Sequence, residues 1–175
     1  MGVAIDDIIP ATTQVNPAFW MKAAQGAIRR ECGWHVAPII DETLELDGMG
    51  GTTLLIPSLR VREIQQVVSD GVDVTERVKH SRTAGVLTLA SGWSRDVGAI
   101  TVKLKHGFAA DEVPEVAALI VTLTKRAAAG GIVVQQAIGG ASQRLATGKD
   151  GAALGVPLLE SERATLAPYV LTWGP

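Results

Sequence analysis

Ile100-Thr101-Val102-Lys103-Leu104-Lys105 alternates apolar and polar residues without a break, the period of a strand with one buried face. The segments before it share that period. Leu44 and Leu46 alternate with Glu45 and Asp47, and Asp47-Gly48-Met49-Gly50-Gly51 then leads into 52–56, which predicts a hairpin. A strand over 61–68 follows. Asp70-Gly71 is a two-residue turn signal into 72–75, and 85–89 is another short strand. Residues 43–108 are thus expected to form a small antiparallel β unit.

Helical signals lie on both sides of this unit. Asn16-Pro17 supplies an N-cap followed by proline at the first helical position. Trp20, Met21, Ala24, Ala27, Ile28 and Cys32 then recur at helical spacing, and Gly33 supplies a stop. Later, Asp111, Glu112 and Pro114 mark a second start, with acids at the positive end of the helix dipole. Ala117, Ile120, Val121, Thr124 and Ala128 form its expected stripe, and Gly130-Gly131 its end. The expected fold is α+β: a helical core (helices near 17–32 and 113–129), an inserted small antiparallel β unit and an extended C-terminal tail. As domains this reads as one unit over 1–175. It has an N-terminal arm at 1–15, a helical core at 17–42 and 109–131, the β unit at 43–108, and a C-terminal arm at 132–175. Within that arm 132–138 suits a strand, Gly139-Gly140 a turn, 147–157 a glycine-rich loop, and 161–167 a short helix ending at Pro168.

Composition bounds the function. Of the 175 residues 47% are hydrophobic and 19% charged, which excludes a disordered solvating chain. The apolar runs are far shorter than the ~20 residues of a bilayer-spanning helix. Met1-Gly2-Val3-Ala4-Ile5-Asp6 has neither a basic n-region nor a myristoylation pattern, so a soluble, unexported, unanchored protein is expected. Sixteen basic against eighteen acidic residues, with no cluster of like charge, argue against a dedicated nucleic-acid binder.

No catalytic motif emerges, and no cofactor or metal is expected. Thr147-Gly148-Lys149 lacks the upstream glycine of a phosphate loop, because Gln143 stands there, and Asp150 replaces the required Ser or Thr. Cys32 and His35 are three apart, but Cys32 lies on the apolar stripe at a helix C-terminus, which reads as a buried structural thiol. His35, His80 and His106 fall in different segments, and no GxSxG elbow surrounds Ser58, Ser91 or Ser142. Pairs such as Asp6-Asp7 and Asp41-Glu42 read as solvated faces. Four of the seven aromatic residues are tryptophan, which directs attention to them. Trp34 is read as capping a small core. Trp93, in a turn, either caps a core or meets a partner, and both readings stay open. The tail is too apolar to float and too thin to fold alone, so it is expected to pack on something else, with 132–136 as a strand for a partner's sheet edge. The candidate partner or subunit contacts are Trp93, Ile132, Val133, Val134, Ile138, Tyr169 and Trp173.

The run Ala27-Ile28-Arg29-Arg30-Glu31-Cys32-Gly33-Trp34-His35-Val36, followed by Thr43-Leu44-Glu45-Leu46-Asp47-Gly48, resembles the head-to-tail connector, or adaptor, proteins of long-tailed double-stranded DNA bacteriophages. Further segments agree in order and spacing: Leu54-Leu55-Ile56-Pro57, 67–75, Gly85-Val86-Leu87, His106-Gly107-Phe108 and Val113-Pro114-Glu115-Val116. Ile138-Gly139-Gly140-Ala141-Ser142, Glu160-Ser161-Glu162-Arg163 and Pro168-Tyr169 complete the resemblance over about 17–170. It implies a structural virion protein, not an enzyme. Such a protein forms a ring of typically twelve subunits (a dodecamer) below the portal at the virion neck, after synthesis in the host cytoplasm. Its implied partners are sister subunits, the portal protein and the next neck or tail protein. DNA passes through the ring without specific binding, and no membrane is involved; the lack of a basic patch in this chain leads to the expectation of a neutral to acidic lumen. Several of the family are mainly helical, whereas this chain carries sheet between its helices. A neck stopper, a tail terminator and an enzyme of unknown chemistry are the alternatives.

Overall fold

The computed structural model describes residues 16–129, 133–137, 142–145 and 157–173. Its helices are α1 (Pro17–Cys32), α2 (Pro114–Ala128) and α3 (Glu160–Leu166). Its strands are β1 (Ile40–Leu46), β2 (Thr53–Leu55), β3 (Val61–Ser69), β4 (Val72–Asp73), β5 (Val78–His80), β6 (Val86–Leu89), β7 (Ile100–His106), β8 (Val133–Ala137) and β9 (Ser142–Leu145). Two compact units emerge: Met1–Ala27 with Leu119–Leu158, and Ile28–Ala118 with Leu159–Pro175.

In the second unit all pairing is antiparallel. One sheet has the order β1-β7-β3-β4, the other β2-β6-β5. The alternation at 100–105 explains why β7 takes the central place: Ile100, Val102 and Leu104 are fully buried while Lys103 and Lys105 face out. Burying such a side chain stabilises by roughly 1.5–3 kcal/mol. Asp70 and Gly71 both adopt left-handed backbone (φ 53° and 74°), the turn that joins β3 to β4 with the correct twist.

The expected helical core with an inserted β unit is overturned. The main buried cluster comes wholly from the sheets and their connections, including Ile56, Val67, Leu87, Trp93, Ile100 and Leu104, and antiparallel sheets dominate the described fold. The helices instead supply narrow stripes. α1 begins as expected, with the Asn16 Oδ1 accepting from the Phe19 N–H at 3.1 Å, but it buries only Ala24, Ile28 and Cys32 and leaves Met21 exposed. On α2 the buried line is Val116, Leu119, Leu123 and Ala127, continuing Val113. The expected stripe is the other one: Ala117, Val121 and Ala128 are exposed and Ile120 is half-buried. α2 is apolar on more than one side, so spacing alone offered two stripes.

Two further expectations fail. β1 does not form a hairpin with β2; it pairs with β7, and β2 pairs with β6. The glycine-rich connection is held by other backbone, Gly48 N–H donating to Asp96 O at 2.9 Å and Gly50 N–H to Ser94 O at 2.8 Å. Nor is 159–173 an extended tail. Leu166 is fully buried, Leu171 N–H donates to Cys32 O at 2.9 Å, and Arg163 pairs with Glu31 at 3.2 Å. The N-terminal arm, the ends proposed at Gly130-Gly131 and Gly139-Gly140, and Thr147-Gly148-Lys149 lie outside the described residues.

In the first unit, Phe19 and Trp20 meet edge to face with centroids 5.2 Å apart, and the Arg126 guanidinium donates to Pro157 O at 2.8 Å. β8 and β9 pair antiparallel as a two-stranded sheet.

Candidate functional site

The second unit carries an apolar groove of about 950 Å³, within the size range of binding pockets. One side is the end of β1 and the glycine-rich connection: Leu46, Asp47, Met49 and Gly50. β2 and the residues after it add Thr53, Leu54, Leu55 and Pro57, and Trp93 adds its ring. The other side is Gly33 with Leu171 and Trp173 from the C-terminal segment.

Two polar side chains of this lining are engaged by hydrogen bonds. Asp47 Oδ1 accepts from the Gly98 N–H at 2.8 Å, and Trp93 Nε1–H donates to Thr52 O at 3.1 Å. Trp93 is therefore both a member of the buried cluster and a wall of the groove. Met49 is 93% exposed, an apolar side chain held in water at the groove's margin. The lining is predominantly apolar, and Asp47 is its one ionisable side chain.

Trp173 stands in the groove because the chain before it is anchored. Trp34 Nε1–H donates to Tyr169 O at 2.7 Å, and the Tyr169 ring meets Phe108 edge on at 5.5 Å. The Tyr169 hydroxyl donates to the Glu115 carboxylate. Burial, reinforced by that carboxylate, pushes the Tyr169 hydroxyl up to about 12. The same hydrogen bond is the main cause that holds Glu115 below the usual carboxylate range.

The structure brings two of the three histidines together. His106, on the buried face of β7, lies with its ring 5.8 Å from that of His35, whose Nε2 is 2.5 Å from Pro38 O. His106 Nε2 lies 2.8 Å from a Glu42 carboxylate oxygen, yet neither ring nitrogen makes an aligned hydrogen bond. Burial lowers the His106 pKa below 6.5; Glu42 opposes this and His35 adds to it. With no exposed surface, His106 reaches no ligand. Cys32 is likewise buried, its thiol pushed up to about 11 by burial and then by Glu31. Among the described residues no cluster of His, Cys, Asp or Glu is arranged to hold a metal. Among them too, no helix is long and apolar enough to cross a membrane.

Of the candidate contact residues, Trp93 and Trp173 both line the groove, while Tyr169 is tied into the Trp34–Phe108 cluster. Val133 and Val134 lie in β8, and Ile132 and Ile138 fall outside the described residues. Sequence reasoning missed Leu46, Met49, Leu55 and Leu171 as groove residues. Met49, a large apolar residue among glycines, was the one available signal. Compared with protein-family models and with curated proteins, the chain matches none.

Proposed function

We propose that this chain is a structural ring protein of a bacteriophage neck, joining head to tail below the portal and extending the DNA channel. The order and spacing of the segments that resemble the connector family, from the run at 27–36 to Pro168-Tyr169, carry this reading. The groove supports it as a seat for an apolar segment of the portal or of the next neck component. The apolar side of α2 around Val121, 51% exposed, adds a second surface suited to a neighbour. A net charge of −2 suits a conduit that lets DNA slide, since tight phosphate contacts would hold it.

Light scattering behind a sizing column tests the proposal, with the chain alone and mixed with portal rings of its own phage. Co-elution at about one chain per portal subunit is expected, and Trp173→Ala should abolish it while the circular dichroism spectrum is kept. A compact monomer that ignores those rings overturns the reading. Binding to a tail component but not to the portal selects a stopper or tail terminator instead.

A further inference from the structure

We infer that the outer edge of β1 takes the β8–β9 hairpin of a second copy of this chain, so that neighbouring subunits share one antiparallel sheet. β1 and β4 are the two edges of the four-stranded sheet, and β4 is only two residues long. β1 runs for seven residues, and among the described residues its single strand partner is β7. Alternate residues of such a strand turn N–H and C=O away from their partner and leave them open to another strand.

Natural edges are commonly blunted by lysine, proline or a bulge. Ile40-Asp41-Glu42-Thr43-Leu44-Glu45-Leu46 has neither residue, and its register against β7 is unbroken, whereas the irregularities fall between β3 and β7. Its one protection is acid: Asp41, Glu42 and Glu45, with no base. That composition repels a second β1 and favours a strand free of acid.

The hairpin fits this requirement. Val133-Val134-Gln135-Gln136-Ala137 and Ser142-Gln143-Arg144-Leu145 contain no acid and one arginine. The two strands pair with each other and form a sheet of their own, and a two-stranded sheet is marginal until a third strand joins it. With β9 against β1, Arg144 comes to an acidic strand and the shared sheet has six strands. The surfaces on the two copies differ, so the contact is heterologous, and its repetition closes a ring or extends a filament. The inference rests on the ring reading above and names the surfaces that would form the ring.

Cysteine pairs test it in the full chain, assembled on portal rings. Gln143→Cys and Ser142→Cys, successive positions of β9, are each combined with Asp41→Cys, Thr43→Cys and Glu45→Cys on the exposed face of β1; the native Cys32 is buried and stays in place. Mild oxidation is expected to give a ladder of covalent multimers from at least one double variant and none from the single variants. Arg144→Glu should weaken self-association about tenfold, with recovery when Asp41→Lys and Glu45→Lys are added. Intramolecular disulfides would place the hairpin on its own chain, and multimers from a β1 cysteine alone would show β1 pairing with β1; either overturns the inference. Rings that form without any cross-link overturn it and leave the ring reading standing. Absence of both rings and portal binding overturns both.

Discussion

Gly85→Ala probes the groove wall and the core beneath it in one substitution. Gly85 has φ +58°, and a Cβ placed there would stand 2.4 Å from Ser58 O, 2.5 Å from Ile56 O and 2.8 Å from Trp173 Cζ2. Left-handed backbone costs an alanine roughly 1–2 kcal/mol. The two carbonyls are backbone and cannot swing aside, so the chain must part, at roughly 1–3 kcal/mol for overpacking. Ile56 N–H donates to Gly85 O at 2.8 Å, and parting stretches that bond, worth about 1 kcal/mol. A loss of about 3–6 kcal/mol is expected. Gly71→Ala is the control: φ is +74° with nothing within 4 Å, which leaves the conformational cost of roughly 1–2 kcal/mol alone. Urea unfolding followed by tryptophan fluorescence compares the two. Gly85→Ala should also displace Trp173 and weaken portal binding, which Gly71→Ala should not. Equal destabilisation by the two substitutions would refute the claim that close backbone approach fixes Gly85.

Leu166→Ala should cost about 3 kcal/mol in the same unfolding assay, because a fully buried leucine leaves a cavity; a change below about 0.5 kcal/mol would mean that α3 is not docked. For His106 the folded pKa lies below 6.5, so the unfolded chain takes up the proton first as pH falls. Its contribution is therefore complete above pH 6.5, declines below it and levels off once the folded pKa is passed. His106→Gln should flatten the dependence of the unfolding midpoint on pH between 8 and 5. With its pKa near 11, Cys32 is about a thousandth thiolate at pH 8. A thiol reagent should therefore label it only after denaturation, and rapid labelling of the native protein would contradict its burial.

What the sequence disclosed was local. Asn16-Pro17, Asp70-Gly71 and the alternation at 100–105 each fix backbone within a few residues, and each is found where expected. The partner of β1 was not legible. Nearness along the chain favours β2, and the choice of β7 depends on how the connection at Gly48 seats against Ser94 and Asp96, nearly fifty residues away. α2 misled because Val121 and Leu123 are both large and apolar, and spacing along the helix does not say which of them is buried. Trp93 and Trp173 stood out as candidates by residue type. That they share one groove follows from pairings and anchors distributed over the whole second unit.

The anchoring of Trp173 makes the groove and the C-terminal segment one energetic system. Leu166, the Trp34–Tyr169 hydrogen bond and the Leu171–Cys32 backbone bond hold 159–173 in place, and only then does Trp173 form a wall. A partner that binds the completed groove binds the docked segment and not the released one, so it stabilises the docked state. At a hundredfold its Kd it contributes about 2.7 kcal/mol, comparable to the ~3 kcal/mol that Leu166→Ala removes. The same residues that hold the fold together thus set how readily the groove is offered. A subunit seated in an assembly would tolerate a lesion there that a free subunit would not.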